Sequence, residues 1–223
     1  AGIDIYSTTT VRDNLVRIDE AVRQGMQRSD IVVCTGGLGP TIDDMTREAI
    51  AKAAGVYLES REDLWKQIQA RFASFGRKAS ENNQRQAYVP AGARVLDNPV
   101  GSAPAFLVEA DGKVVLSLPG VPGEMKRIWE DSALPYLMSK YGRSHVIRSR
   151  VLHSAGVGES LIDEKIADLE ELANPTVGLA AHAGSVDIRL TAKGADDGEA
   201  PNMLDKLEAQ VMERLGDWVY GKD

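Results

Sequence analysis

The sequence is poor in the residue types that build the most easily recognised sites. It has one cysteine, Cys34, so no internal disulfide can form, and a reducing cytoplasm is the expected setting. Its three histidines, His145, His153 and His182, are scattered with no i,i+4 pair, and structural or solvated roles are expected for them. Aromatic residues make up 5% of the chain, and Trp65, Trp129 and Trp218 lie too far apart in sequence to suggest a stacking platform. No apolar run approaches the roughly 20 residues that span a bilayer, and no basic-then-apolar leader opens the sequence. No membrane association is expected.

What is present fits an ordinary globular protein of 223 residues, with 43% hydrophobic and 26% charged residues. The charge is unevenly spread. Residues 1–143 balance 18 basic against 18 acidic side chains, whereas residues 144–223 hold 8 and 15, so the whole excess of -7 lies in the last third. Such a shift predicts two domains, 1–143 and 144–223.

Local patterns predict the elements. "GIDIYSTTTV" has the β-branched character of a strand, and Leu15, Ile18, Val22 and Met26 lie at helical spacing behind Asp13 or Asn14 as N-cap. "DIVVC" reads as a strand buried on both faces of a parallel sheet, followed by a helix from about Asp44 to Ala54 that Gly55 ends. Leu64, Ile68 and Phe72 mark a further helix. "AFLVEADGKVVLSLPG" predicts a hairpin around Asp111-Gly112, and a helix beginning near Pro122 is interrupted near Pro135. In the last third, a helix at about Glu159 to Leu172, a hairpin of "TVGLAAHA" and "SVDIRLTAKG", and a helix with Leu204, Leu207, Val211 and Leu215 on one stripe predict a small α+β unit.

The stretch "TGGLGPTIDDMT", residues 35–46, holds more than a turn requires. Gly36, Gly37 and Gly39 lack a Cβ, so their backbone can approach a bulky anion. The following helix adds the positive end of its dipole, and Thr35, Thr41 and Thr46 offer hydroxyls. Asp43 and Asp44 beside a phosphate would need neutralising, which a divalent cation does by bridging carboxylates and phosphates. A structural reading stands beside this one: Thr41-x-x-Asp44 also has the spacing of a capping box.

Together with "ENNQ" at 81–84, "NPVGSAPAF" at 98–106 and "LPGVPGEMK" at 118–126, this stretch resembles the CinA (competence/damage-inducible) family, and more distantly the molybdenum-cofactor proteins MoaB and MogA. "GVGES" and "NPTV" through "YGKD" are similar to the family's KH-like segment. The resemblance implies a three-layer α/β/α molybdopterin-binding-like domain with a mostly parallel sheet, joined to a smaller α+β KH-like domain. It also implies a metal-dependent ADP-ribose pyrophosphatase using Mg²⁺, Mn²⁺ or Co²⁺ and releasing AMP and ribose 5-phosphate. A homodimer or higher homo-oligomer is expected with it. Alternatives are a pterin-binding or adenylyl-transferring protein of the molybdenum-cofactor type, and a non-catalytic binding or assembly module.

Carried onto this sequence, the resemblance places Asp43, Asp44, Glu81 and Lys126 in catalysis, with Asp43 and Asp44 on the metal. Phosphate or nucleotide would be held by Thr35, Gly36, Gly37, Gly39, Thr46, Asn82, Asn83, Asn98, Gly101, Ser102, Gly120 and Glu124. Ser80 could instead cap a helix containing 81–83, and Asn98-Pro99 could be an ordinary turn. Glu124 and Lys126 would occupy a helix's first turn, where a lysine is poorly placed unless an anion is near. Family members also carry an I-G-D-E-L-L strand and D-T-N ahead of the matched region; this sequence begins where their second strand would lie. It stops before the region where some carry a nicotinamide mononucleotide deamidase domain, so no deamidase activity is expected. Nucleic-acid binding is not expected, because the KH-like third is acidic and lacks a Gly-x-x-Gly clamp.

Overall fold

The computed structural model describes residues 2–142 and 145–223, and the chain divides into two compact units. One comprises Ile5–Lys140; the other comprises Tyr141–Asp223 with the first few residues of the chain. The expected boundary between 143 and 144 falls outside the described residues.

The larger unit opens irregularly. The strand expected over "GIDIYSTTTV" does not form: this segment has no ladder partner among the described residues, and Ile5 and Tyr6 are exposed. β-branched residues favour a pleated surface only when a neighbouring strand and a core are there to receive them. Helix α1 (Leu15–Arg28) begins at Asn14, whose side chain accepts from the Arg17 N–H, and buries Val22 and Met26. Strand β1 (Ile31–Thr35) leads through the glycine loop to α2 (Thr46–Ala53), which starts two residues later than expected and ends at Gly55 with φ +71°. Asp19 is buried between α1 and α2, where Arg23 and Lys52 each reach it at 2.7 Å.

After α2 come β2 (Leu58–Ser60), α3 (Glu62–Ser74), a 3₁₀ turn over Glu81–Ala87, β3 (Tyr88–Pro90), β4 (Arg94–Leu96), β5 (Ala105–Ala110) and β6 (Lys113–Leu118). Asp111 and Gly112 both have positive φ, as a two-residue hairpin turn requires. Helix α4 (Pro122–Ile128) passes through a wider turn into α5 (Leu134–Tyr141). In that turn Leu134 N–H reaches back to the Trp129 carbonyl, five residues earlier, just before Pro135, which has no N–H to give.

The main sheet has the order β1-β6-β5-β4. The sheet is mixed rather than mostly parallel as expected. Among the described residues only β1 and β6 pair parallel, because the two-residue turn at Asp111-Gly112 makes β5 and β6 antiparallel and β4 joins β5 in the same way. Both its faces are covered, which makes three layers. Phe106, Val108 and Val115 meet Val22, Ile50, Leu64 and Ile68 from α1, α2 and α3. Their alternating neighbours Leu107, Leu116 and Leu118 are equally buried, and on that face Glu109 is held by Tyr136 and Lys140 of α5. β1 departs from the expected strand buried on both faces. Among the described residues its only ladder is to β6, and Val33 is 45% exposed. Cys34 packs against the core, and burial pushes its thiol up to about 11, consistent with a packing role.

The smaller unit is an antiparallel sheet of β7 (Val146–Ala155), β8 (Thr176–His182), β9 (Ser185–Gly194) and β10 (Val219–Lys222), in the order β10-β7-β9-β8. Helices α6 (Glu159–Glu170) and α7 (Glu199–Leu215) complete its core, with Ile162, Ile166, Leu204, Leu207 and Val211 against Ile188 and Leu190. Two of the histidines that are scattered in sequence meet on its sheet. His153 Nδ1 lies 2.8 Å and His182 Nε2 3.2 Å from the two oxygens of Asp187, because strand pairing sets His153 opposite Asp187. Both contacts are hydrogen bonds between an imidazole and a carboxylate.

Bonds to Asp187 and then to Asp223 raise the His153 pKa above its usual value. Their stabilising effect is therefore full below that usual value and fades as pH rises through the raised one. Asp187→Asn is expected to lower the pH at which His153 deprotonates in an NMR titration. An unchanged midpoint would show that the carboxylate does not hold that proton.

Candidate functional site

The parallel pairing of β1 and β6 ends both strands at the same edge of the sheet, and each then enters a glycine-containing loop. Ligands of open α/β sheets bind where such strand ends leave a crevice. Gly36 N–H extends the ladder to the Leu118 carbonyl at 2.9 Å. A Cβ on Gly120 would stand 3.2 Å from Gly36 Cα, so the loops after β1 and β6 touch backbone to backbone.

Four segments close a ring at this edge through pairwise contacts. The glycine loop meets the loop after β6 at Gly36 and Gly120. Glu124, at the start of α4, accepts from Asn98 Nδ2 at 2.7 Å, and its carboxylate fills the space a Gly101 side chain would need. Ser102 pairs with the Gln86 amide at 3.3 Å. Arg85 closes the circuit by donating to the Thr41 carbonyl at 3.0 Å and to Glu48 at 3.3 Å. The sequence motifs far apart along the chain are thereby brought together.

The ring also sorts the expected residues. Asp43 is exposed and makes no side-chain hydrogen bond among the described residues. Asp44 does the opposite: its Oδ2 accepts from the Thr41 N–H at 2.8 Å and the Thr41 hydroxyl at 2.5 Å. Burial works against its ionisation, but these bonds and one from the Gly39 N–H outweigh it and hold the carboxyl below its usual range. The capping-box spacing of Thr41 and Asp44 thus forms as a closed turn ahead of the helix, which begins only at Thr46. Gly39 has no room for a Cβ, which would come within 2.9 Å of Asp44 Cγ, and its N–H already serves Asp44. Gly37, with φ +67°, packs on Thr46, which is buried, and its carbonyl accepts from the Thr46 N–H at 3.3 Å. Gly36, with φ +91°, faces open space, and Thr35 beside it is exposed.

Elsewhere in the ring Asn83 is buried and completes a capping box with Ser80, whose N–H and hydroxyl reach its Oδ1 at 2.9 and 2.8 Å, so its amide is structural. Glu81 and Asn82 are exposed beside it. Asn98 is buried with all its bonding directions used, to Ala103 O, Glu124 and the Val100 and Gly101 N–H groups. Lys126 is exposed and lies in the last turn of α4, where a cation is favourable, so its position does not call for an anion.

One residue was missed by the sequence reasoning. Arg47 is 2% exposed, yet among the described residues no carboxylate bonds its guanidinium, which donates instead to the carbonyls of Leu38 and, at 3.1 Å, Gly39. Its Nη1, like Glu48 Oε2 and Ser117 Oγ, is buried without a hydrogen-bond partner among the described residues. Burial lowers its pKa while the charges of Glu48 and Asp44 counter that, and a guanidinium stays protonated regardless. Arg47 therefore pins the glycine loop from beneath. Its signal was available: an arginine in the first turn of α2 opposes the helix dipole, the same argument applied to Lys126.

A glycine loop at the paired ends of two parallel strands, in a three-layer α/β domain, is the arrangement at which open α/β sheets bind ligands. The comparisons place it more closely: the chain belongs to the family of the "Probable molybdopterin binding domain", matched over residues 1–139, and continues with a "Damage-inducible protein CinA KH domain" over residues 149–221. It is 42% identical to a "CinA-like protein" of Prochlorococcus marinus and 40% identical to one of Gloeothece citriformis, in each case over the whole of this chain. Those alignments cover 52% and 54% of the relatives, so the chain spans about half the length of the curated proteins it matches. A crystal structure of CinA from Thermoplasma acidophilum, 39% identical, is similar over 58% of this chain and 72% of that one, with a TM-score of 0.49.

Two substitutions separate loop structure from ligand chemistry. Arg47→Met leaves two loop carbonyls without their donor and is expected to cost about 2 kcal/mol in urea unfolding. Asp44→Ala is expected to cost about 1 kcal/mol near neutral pH, as loss of a cap does. The Asp44 contribution is present above the usual carboxylate range and is lost as pH falls through its lowered value, so the two proteins should converge in stability at strongly acidic pH. A constant difference across that range would contradict the role given to Asp44.

Proposed function

We propose that the ring of loops binds a nucleotide diphosphate and hydrolyses it with a divalent cation, ADP-ribose being the substrate the family resemblance suggests. The observation that carries this reading is the division of labour between the two aspartates. Asp44, Arg47 and Arg85 stiffen the loop, while Asp43 is left exposed at its surface and unpaired among the described residues.

An exposed carboxylate of this kind fits the way Mg²⁺ is commonly held, through one or two carboxylates together with substrate phosphates and water. Asp43 would be its protein ligand, and a bound cation would neutralise charge on the phosphoryl oxygens. Gly36 and Thr35, both at the open end of β1, would meet a phosphate, and Glu81 and Asn82 are exposed in the adjoining segment of the ring. In the overall reaction water adds to one phosphorus as the bridging P–O bond breaks, giving AMP and ribose 5-phosphate. Fixed backbone and charged groups aimed at a transferring phosphoryl group are the main catalytic resource for such chemistry.

A non-catalytic binding module is the second reading, favoured by the engagement of Asp44 Oδ2 in closing the loop, a structural duty that accounts for this carboxylate without a metal. The test is AMP release from ADP-ribose with and without Mg²⁺, Mn²⁺ or Co²⁺. Asp43→Asn is expected to lower metal-dependent release about a hundredfold while changing stability by less than about 0.5 kcal/mol. Undiminished release in that variant would overturn the role of Asp43. Tight ADP-ribose binding with no release in the parent protein would establish the second reading.

A further inference from the structure

Beside the ring, α3 and the turn 97–104 enclose an open groove of about 440 Å³. This lies within the roughly 300–1,000 Å³ range of small-molecule sites. We propose that the groove receives the nucleoside end of the ligand whose phosphates the ring holds; the inference rests on the function proposed above.

Three observations support it. The first is continuity: Asn98, Gly101 and Ser102 line the groove and belong to the ring, so one turn serves both. Arg71 braces that turn from the groove side, donating to the Asn98 carbonyl at 3.0 Å, with its guanidinium 5.9 Å over the Phe75 ring. The second is the lining. Exposed Ala70, half-buried Pro104 and the stem of half-buried Arg71 give the groove apolar walls above the packed Leu64 and Ile68, a surface against which a heterocycle can lie.

The third is the rim. Gln67 on α3 and Asp97 at the turn are exposed and make no side-chain hydrogen bonds among the described residues. An amide offers both a donor and an acceptor to a base edge. An aspartate is suited to accept from ribose hydroxyls, as an acidic residue does in dinucleotide-binding folds. Arg71 and Asp97 balance in charge, so the groove favours a neutral, hydroxyl-bearing group over a phosphate chain.

Calorimetry with adenosine and, separately, inorganic pyrophosphate tests this on the intact chain. Two variants are used: Asp97→Asn, and Ala70→Trp, which adds bulk at an exposed groove residue without disturbing the packed Leu64 and Ile68. Both are expected to weaken adenosine at least about tenfold, a 1.4 kcal/mol change, and to leave pyrophosphate within about twofold. In the parent protein 2′,3′-dideoxyadenosine should bind more weakly than adenosine, and Asp97→Asn should abolish that difference, an effect that mere loss of structure would not mimic. Pyrophosphate binding without adenosine binding, or adenosine binding that neither variant weakens, overturns the groove assignment and leaves the ring reading intact. Adenosine binding that both variants weaken, with no turnover of ADP-ribose, upholds the groove and removes the hydrolase reading.

Discussion

The parallel pairing of β1 with β6 is the constraint on which the candidate site depends. Because the two strands run the same way, their carboxyl ends finish together, and the loops that follow must share one small volume. They can do so only because Gly36 and Gly120 leave room for backbone to meet backbone. The remaining members of the ring are then fixed by side chains spanning loop to loop: Glu124 to Asn98, Ser102 to Gln86, Arg85 to Thr41. The cost is a set of buried polar groups behind the loop, above all Arg47, whose charge is met by carbonyls and by nearby carboxylates. Such groups are tolerated where they fix a backbone that would otherwise wander.

Much of the architecture was legible in the sequence because it rests on periodic burial and turn chemistry. Val22 and Met26, Leu64 and Ile68, and the stripe from Leu204 to Leu215 sit inside as their spacing predicts. Asp111-Gly112 forms its hairpin turn, and Pro135 follows an irregular helical turn. Where local pattern misled, pairing and tertiary context decided. "GIDIYSTTTV" has strand composition but no neighbour to pair with among the described residues, and "DIVVC" looks doubly buried but has a ladder on one side only.

The site was legible as a set of segments and less so as a set of roles. Spacing shows that Asp44 is able to bond Thr41, but not that doing so leaves Asp43 as the unpaired carboxylate; that follows from where the loop closes before Thr46. Asn83 and Asn98 read as ligand-facing polar residues, whereas burial and saturated hydrogen bonding make them supports of the loops that carry them. Arg47 was passed over because an arginine beside a glutamate at a helix start looks like surface. Its position against the helix dipole is the one hint the sequence carries, and packing shows it to be inside.

The central claim is that four separate segments act as one ligand site. Hydrogen–deuterium exchange with and without ADP-ribose and Mg²⁺ tests it most directly. The account predicts slowed exchange together in the loop of residues 36–46, the turn of 81–87, the turn of 98–102 and the loop of 119–124. Protection confined to a single one of these segments, or none in any of them at ligand concentrations that saturate binding, would contradict it.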